Sequence, residues 1–442
     1  MATDYVADTI VAPATPAGTG GVAVVRLSGP AVEEIADAML GRLPEPRRAE
    51  LHHFRDSDGE AIDVGIALYF PGPGSFTGES VLELHGHGGP MVVAGLVSAA
   101  LNLGARRAEA GEFAKRAFLN GKVDLAQAEA IADLIDSGTS QAARAALRSM
   151  SGAFSDAVEA LARQLLELRT YVEAAIDFPD EEIDFLSDSA LRRRLETAQA
   201  TFDGILDQAR TGRLLRDGFQ IVIVGKPNAG KSSLMNALSG EDTAIVTAIA
   251  GTTRDVLREQ IDLDGLAVEL VDTAGLRDDP DVIEAEGIRR AREAMQSADA
   301  AICLVDASAG EHFDNGLADE LPRLLVRNKI DLTGETPGPE GDGINISAAT
   351  GEGLDALKHA IKALAGFADT GGSFSARQRH IDALTRARQH FDTGVDRLAA
   401  ERAGELLAEE LRLAHLALGE IIGQVSSDDL LGEIFSSFCI GK

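Results

Sequence analysis

Three groups of residues have the types and spacing to handle a nucleoside triphosphate. The first is Gly225-Lys226-Pro227-Asn228-Ala229-Gly230-Lys231-Ser232, followed by Ser233. Its glycines allow consecutive backbone N–H groups to curl around a phosphate, and a helix starting there would turn its positive end to the same anion. Lys231 would reach the β- and γ-phosphates, and the Ser232 hydroxyl would coordinate Mg²⁺. The second group is Val271-Asp272-Thr273-Ala274-Gly275. There Asp272 would hold Mg²⁺ through water and the Gly275 N–H would touch the γ-phosphate. The third is Asn328-Lys329-Ile330-Asp331 together with Ser347-Ala348-Ala349. A carboxylate at Asp331 can accept two hydrogen bonds, from the N1–H and the exocyclic amine of guanine. Adenine offers no such donor pair, so ATP would leave that carboxylate unpaired. Ser347 to Ala349 would close over the base. The bland alternative for the first segment is a glycine-rich turn with no ligand, and each segment alone is weak. All of them in this order indicate a GTPase domain.

Each segment has to stand at the end of a strand. The apolar run Ile221-Val222-Ile223-Val224 precedes the phosphate loop, and Ser233-Leu234-Met235-Asn236-Ala237-Leu238 follows it with helical spacing. Strand, glycine-rich turn and helix is the context such a loop requires. Strands are expected at residues 220–224, 258–263, 266–272, 301–306 and 324–328, with a short one at 344–346 and a last helix from Gly353. Asp264-Gly265 is a strong hairpin signal between the second and third strands. Residues 215–367 therefore read as a doubly wound P-loop domain with its ligand at the strand C-termini.

Two details bear on hydrolysis. Many GTPases place a water-orienting Gln after the second motif; here that position is Leu276, and the acidic residues downstream are Asp278, Asp279, Asp281, Glu284 and Glu286. The first switch is Thr247-Ala248-Ile249-Ala250-Gly251-Thr252-Thr253-Arg254-Asp255. Thr253 would ligate Mg²⁺. The exposed carbonyls of a looped segment suit a larger monovalent cation, standing where other systems place an arginine finger. Arg254 or Arg277 acting as that finger is the competing idea.

The rest of the 442-residue chain is organised around this domain. Its length suggests two to four domains, and a 45% hydrophobic composition can bury sizeable cores. The net charge of −30 argues against a nucleic-acid binder as a first guess. Basic residues gather at 101–122 and 191–216, where a solvated helix face is the commoner explanation and phosphate contact the rarer one. The two cysteines, Cys303 and Cys439, give no disulfide framework and suit a reducing cytoplasm. No apolar run is long enough to span a membrane. Residues 1–118 read as a compact mixed α/β domain, with the strand 81–85 expected to break at Gly86. His85 and His87, two apart, hint at a metal, but glycine-flanked histidines in a loop or small-molecule pocket are the simpler reading. Residues 119–214 and 368–442 are helical, with a break at Gly152. One all-α domain split by an inserted GTPase is the economical organisation.

The flanks carry a resemblance to a family. The carriers are Asp8 to Ala12 with Ala14-Thr15-Pro16, Ser75 to Glu79, Leu82 to Pro90, Gly111-Glu112-Phe113, Arg116 to Lys122 and Asp124 to Ala130. Gly225 to Ser233, Gly251 to Asp255, Asp272 to Arg277 and the terminal Phe438-Cys439-Ile440-Gly441-Lys442 complete them. Over essentially its whole length the chain resembles the MnmE (TrmE) family of tRNA-modification GTPases, within the wider TrmE-Era-EngA-like group.

That resemblance implies an α/β multidomain protein: an N-terminal α+β domain like tetrahydrofolate-binding enzymes, an all-α helical domain, and an inserted Ras-like GTPase domain. It implies a cytoplasmic homodimer joined through the N-terminal domains. The folate pocket would use Arg26, Glu83 and Lys122, with Lys442 reaching in, and would take 5-formyltetrahydrofolate or a related tetrahydrofolate. Guanidinium, ammonium and carboxylate are apt partners for glutamate carboxylates and a pterin edge. Each also has an ordinary reading, as surface charges on a strand or near a helix start. The two G domains would meet when K⁺ and GTP bind, with Asn228, Thr247, Ile249 and Thr252 at the K⁺ and Ser232 and Thr253 at the Mg²⁺. Glu284 would position water, although the spacer Asp278-Asp279-Pro280-Asp281 before it departs from the family pattern. The partner would be MnmG, an FAD-dependent protein, in a heterotetramer acting on C5 of the wobble uridine of certain tRNAs. The alternative is a GTP-switched RNA or ribosome-assembly factor. It predicts a basic RNA-binding module, which the sequence does not show beside the G domain, and leaves the terminal Phe-Cys-Ile-Gly-Lys without a role.

Overall fold

A computed structural model describes residues 8–177, 189–240, 258–272, 298–309, 321–367, 372–401, 403–424 and 428–441. The chain divides into two compact units, residues 1–132 with 416–442, and residues 133–415.

The first unit is built on a six-stranded sheet. Its strands are β1 (Ile10–Pro13), β2 (Gly20–Ser28), β3 (Glu50–Arg55), β4 (Ala61–Phe70), β5 (Val81–Gly88) and β6 (Arg106–Arg107), in the order β3-β4-β5-β2-β1-β6. All pairings are antiparallel except β1 with β6. In β2, Val25 and Leu27 alternate with Arg26, so the apolar pair enters the core and Arg26 faces the other way. Helices α1 (Val32–Leu40) and α2 (Pro90–Asn102) supply Ile35, Met39, Leu96 and Val97 to that core. Pro90 at the first turn of α2 has the φ a helix start needs.

Strand β5 does not break at Gly86 as expected. A Cβ on Gly86 would lie 2.6 Å from Asp63 Oδ2, and one on Gly88 would lie 2.5 Å from the Gly20 carbonyl oxygen. These glycines let neighbouring chains approach closely and do not end the strand. Helix α3 (Glu112–Leu119) and the start of α4 (Leu125–Asp136) complete this unit together with the C-terminal segment.

In the second unit, α5 (Ser140–Met150), α6 (Ala153–Asp177) and α7 (Ser189–Asp217) precede a seven-stranded sheet. The expected break at Gly152 is present, with φ +97°. The strands are β7 (Phe219–Gly225), β8 (Arg258–Leu263), β9 (Leu266–Asp272), β10 (Ala300–Asp306), β11 (Arg323–Asn328), β12 (Gly338–Glu340) and β13 (Gly343–Asn345). Their order is β12-β13-β11-β10-β7-β9-β8, parallel in the centre and antiparallel at the two edge strands. Ile221, Ile223, Leu270 and Ile302 meet α8 (Lys231–Leu238) in one core; α9 (Ile330–Thr333) and α10 (Leu354–Leu364) follow, the latter adding Leu357 and Ile361. Cys303 is buried, which pushes its thiol up to about 11.

Helical structure then returns as α11 (Gln378–Glu401) and α12 (Gly404–Ile422), and the chain ends with α13 (Asp428–Ser436) in the first unit. The stretch 368–442, expected to be helical, does not continue unbroken from α11 into α12. Gly404 opens α12; a glycine weakens a helix interior by about 1 kcal/mol but is tolerated at its start. Phe202 of α7 and Phe391 of α11 meet with ring centroids 5.5 Å apart, so helical elements on both sides of the sheet share a core.

Candidate nucleotide-binding site

Strand β7 ends at Gly225, where any side chain would collide with the neighbouring strand: a Cβ would lie 2.5 Å from the Leu304 carbonyl oxygen. The loop then turns through Asn228 at φ +67° and Gly230 at φ +96°, and α8 begins at Lys231. Left-handed backbone at both positions rotates the peptide planes so that successive N–H groups can line one concavity. Lys231 is buried and donates to the Gly225 and Lys226 carbonyls at 2.8 and 3.1 Å, which holds its ammonium over the loop. Ser232 and Ser233 are exposed on the first turn of α8, and Ala229 is buried beneath the loop.

Asn328 ties this loop to the base-recognition segments. Its Nδ2 donates to the Ala229 carbonyl at 2.9 Å, and its Oδ1 accepts from the Ala348 N–H at 3.0 Å. A Cβ on Gly230 would overlap the same amide, so glycine there is required by contact as well as by φ. Asp331 accepts from the Ser347 hydroxyl at 2.7 Å, which joins the two segments expected to surround the base. Ile330 is buried; Asp331 and Ala349 are exposed. Lys329 stands at φ +68° and its ammonium pairs with Asp306 Oδ2 at 2.6 Å. That hydrogen bond, helped by Ser308, holds the Asp306 carboxyl below its usual range. Asp306 was not singled out in the sequence; its position at the C-terminal end of the central strand β10 was the signal available.

Asp272 closes β9, beside β7, with Ile223 as its register partner. Thr247 to Thr253, Thr273, Ala274, Gly275, Glu284 and the alternatives Arg254 and Arg277 lie outside the described residues.

The first unit brings together another polar group. Arg26 donates through Nε to Glu83 at 2.9 Å, across the β2–β5 register that pairs them. Its guanidinium lies 5.8 Å from the Phe76 ring centroid and 5.7 Å from that of Phe113. His85 Nε2 is 3.2 Å from Glu83 Oε2, and His87 Nδ1 is 2.8 Å from Asp63 Oδ1. Both histidines stand in strand β5, not in a loop as expected, and each faces a carboxylate; among the described residues no three His, Cys, Asp or Glu gather as a metal site. Lys122 donates to the Pro73 carbonyl at 3.0 Å, at the edge of the 71–79 loop. Lys442 lies outside the described residues, but Gly441 is placed: at φ +99°, a Cβ on it would overlap the Pro13 carbonyl. Pro13 is the register partner of Val25, next to Arg26.

The doubly wound sheet, the left-handed loop before α8 and the Asn328 staple define a P-loop domain of the guanine-nucleotide-binding class. The flanking sequence narrows this. A family model described as the MnmE helical domain matches residues 125–439, and one described as the GTP-binding protein TrmE N-terminus matches residues 9–122. A relative from Alkalilimnicola ehrlichii, named tRNA modification GTPase MnmE, is 55% identical over 98% of this chain and 99% of its own. One of the same name from Pectobacterium atrosepticum is 54% identical over the same shares. A solved structure of Era from Aquifex aeolicus, bound to GDP.AlF4⁻, covers 39% of this chain and 66% of its own at 24% identity, with a TM-score of 0.25. The chain belongs to the MnmE (TrmE) family.

Proposed function

We propose that this chain is the GTP-hydrolysing component of a tRNA-modifying complex. It adds an aminomethyl or carboxymethylaminomethyl group at C5 of the wobble uridine of certain tRNAs, drawing a one-carbon unit from a tetrahydrofolate. Residues 1–118 form the folate-binding and dimerising part, 119–214 and 368–442 the helical domain, and 215–367 the GTPase domain. The partner is MnmG, and the complex works in the cytoplasm. No helix among the described residues is long and apolar enough to cross a membrane.

The observation that carries this reading is the end-to-end likeness, at 55% identity, to a relative named tRNA modification GTPase MnmE. The geometry of both candidate sites agrees with it. Lys231, Ser232 and the backbone of Asn228 to Gly230 would hold the phosphates and Mg²⁺, and Asp272 would hold the metal through water. Asp331, beside Ser347, would accept from guanine. Asn228, exposed in the loop, would offer its side-chain oxygen to K⁺, joined by Thr247, Ile249 and Thr252. A monovalent cation there supplies positive charge to the developing phosphoryl transition state, a part other GTPases give to an arginine. Glu284 would orient the attacking water, because Leu276 has no group to do so. Arg26, Glu83, Lys122 and Lys442 would hold the folate; the Arg26–Glu83 pair between two aromatic rings offers both charges to a ligand carrying carboxylates and a pterin.

Steady-state GTP hydrolysis in KCl and in NaCl at equal ionic strength tests the cation role. A rate at least about tenfold higher in KCl, lost in Asn228→Ala, is expected, that being the scale of one charge stabilisation in a phosphoryl transfer site. Equal rates in the two salts would remove K⁺ and return the charge to Arg254 or Arg277.

A further inference from the structure

We propose that the tip of the β8–β9 hairpin, gripped by Thr139 and Gln141 at the start of α5, is the contact through which the nucleotide-bearing sheet sets its orientation on the helices. In this assignment Thr139 and Gln141 are positioning residues. The inference rests on the GTPase reading above.

The hairpin is the stretch of chain between the two expected switches. Strand β8 starts three residues after Asp255, the last residue of the first switch, and β9 ends on Asp272, where the second motif begins. Its turn is tight, with Asp264 at φ +52° and Gly265 at φ +99°. The Thr139 hydroxyl donates to the Gly265 carbonyl at 3.2 Å while accepting from the Ala142 N–H at 3.1 Å. One buried hydroxyl thus caps α5 and holds the turn. Gln141 Nε2 donates to the Asp264 carbonyl at 3.2 Å, and a Cβ on Gly265 would overlap the Gln141 amide. From the sheet's own side, Lys362 of α10 pairs with the Asp264 carboxylate at 2.6 Å.

The far end of α5 holds the chain where it leaves the sheet. Arg148 Nε donates to the Ser373 carbonyl at 2.7 Å, and the Ser149 hydroxyl donates to that of Ser375 at 3.0 Å. Asp133 accepts from Arg216, just before the sheet, and from Arg377, just after it, each at 2.8 Å. The incoming and outgoing chains are therefore clasped on one carboxylate. Two adjacent crossings of this kind make a hinge, and a hinge leaves one rotation open. The hairpin tip on α5 is a third contact, and it fixes that rotation. Any shift of β8 against β9 that follows from a change at either switch arrives at this tip, and α5 carries it to both ends of the hinge. A neutral hydrogen bond biases such a two-state balance by about fivefold.

The chain has no tryptophan, so Leu147→Trp, at an exposed position on α5, reports alone in the full-length protein. Its emission is compared with GDP and with a non-hydrolysable GTP analogue bound. A difference between the two states is expected. Gln141→Glu, which sets a carboxylate against the Asp264 carbonyl, should shrink that difference about fivefold or more, with GTP hydrolysis and melting temperature unchanged. Gln141→Lys restores a donor and should keep the difference; should Gln141→Glu melt early, Gln141→Ala takes its place. No nucleotide-dependent difference in the Leu147→Trp chain, the same difference after Gln141→Glu, or equal loss in the Glu and Lys variants would each overturn the assignment. Absence of GTP hydrolysis in the unsubstituted chain would overturn the GTPase reading itself; with hydrolysis present, failure belongs to the linkage alone.

Discussion

Asn328 uses both ends of one amide to join the phosphate loop to the segment expected to lie over the base. Both of its partners are backbone groups, so truncation would leave an orphaned carbonyl at Ala229 and an orphaned N–H at Ala348. At about 1–1.5 kcal/mol for each, Asn328→Ala should weaken GDP binding about 30- to 150-fold, read as Kd by calorimetry. Wild-type affinity in the variant would mean that the loop holds its shape without the staple. At this scale the sequence was informative about residue types and silent about pairings. Asn328, Lys329, Asp331 and Ser347 could be singled out because their chemistry and order are distinctive. That Lys329 pairs with Asp306, or that Arg26 lies between Phe76 and Phe113, depends on side chains from distant segments, which no local pattern announces.

Among the elements, α3 is fixed by charge to an unusual degree. Arg116 is 1% exposed and reaches Asp8 at 2.6 Å, Glu112 at 2.9 Å and Glu79 at 3.1 Å. Arg106 binds Asp8 and Glu112 as well, each at 2.7 Å. Burial alone would raise the Glu112 pKa, but hydrogen bonds from Arg106, the Glu109 N–H and Arg116 outweigh it, so its carboxyl titrates below the usual range. A group depressed on folding stabilises above its unfolded value, about 4.3, and that contribution is lost as pH falls through the folded value. Glu112→Gln leaves two guanidiniums short of a counter-charge, which typically costs about 3 kcal/mol or more for a buried pair. Its melting temperature should fall well below wild type at pH 7, and the gap should close below about pH 4 as wild type loses the same interaction. A gap that stays constant from pH 7 to pH 3 would show that the glutamate acts through shape and not charge. Regular elements were mostly legible: β7, α8 and the β8–β9 hairpin follow from apolar runs and turn residues. Strand β3 was not, because its buried residues His52 and Phe54 alternate with polar ones and an exposed Leu51, which blurs the apolar face.

For the molecule as a whole, helical character on both sides of residues 215–367 was readable from composition and apolar spacing. Glycine and proline thin out in residues 119–214, proline is absent from 368–442, and apolar residues fall at helical spacing in both stretches. The clasp formed by Asp133, Arg216 and Arg377 was not readable, since its three members lie up to 244 positions apart. Nor was the return of residues 416–442 to the N-terminal unit, which depends on Phe435 and Phe438 packing near Ala114 and Leu125. The net charge of −30 fits a chain that touches RNA through a limited surface or through a partner, not through a broad basic face. The most direct measurement is the nucleoside content of bulk tRNA from cells carrying wild type, a deletion, or Lys231→Ala at the chromosomal locus. C5-(carboxymethyl)aminomethyl-type uridines should be present with wild type and lost in both the deletion and Lys231→Ala. Unchanged uridine modification in the deletion would contradict the proposed function.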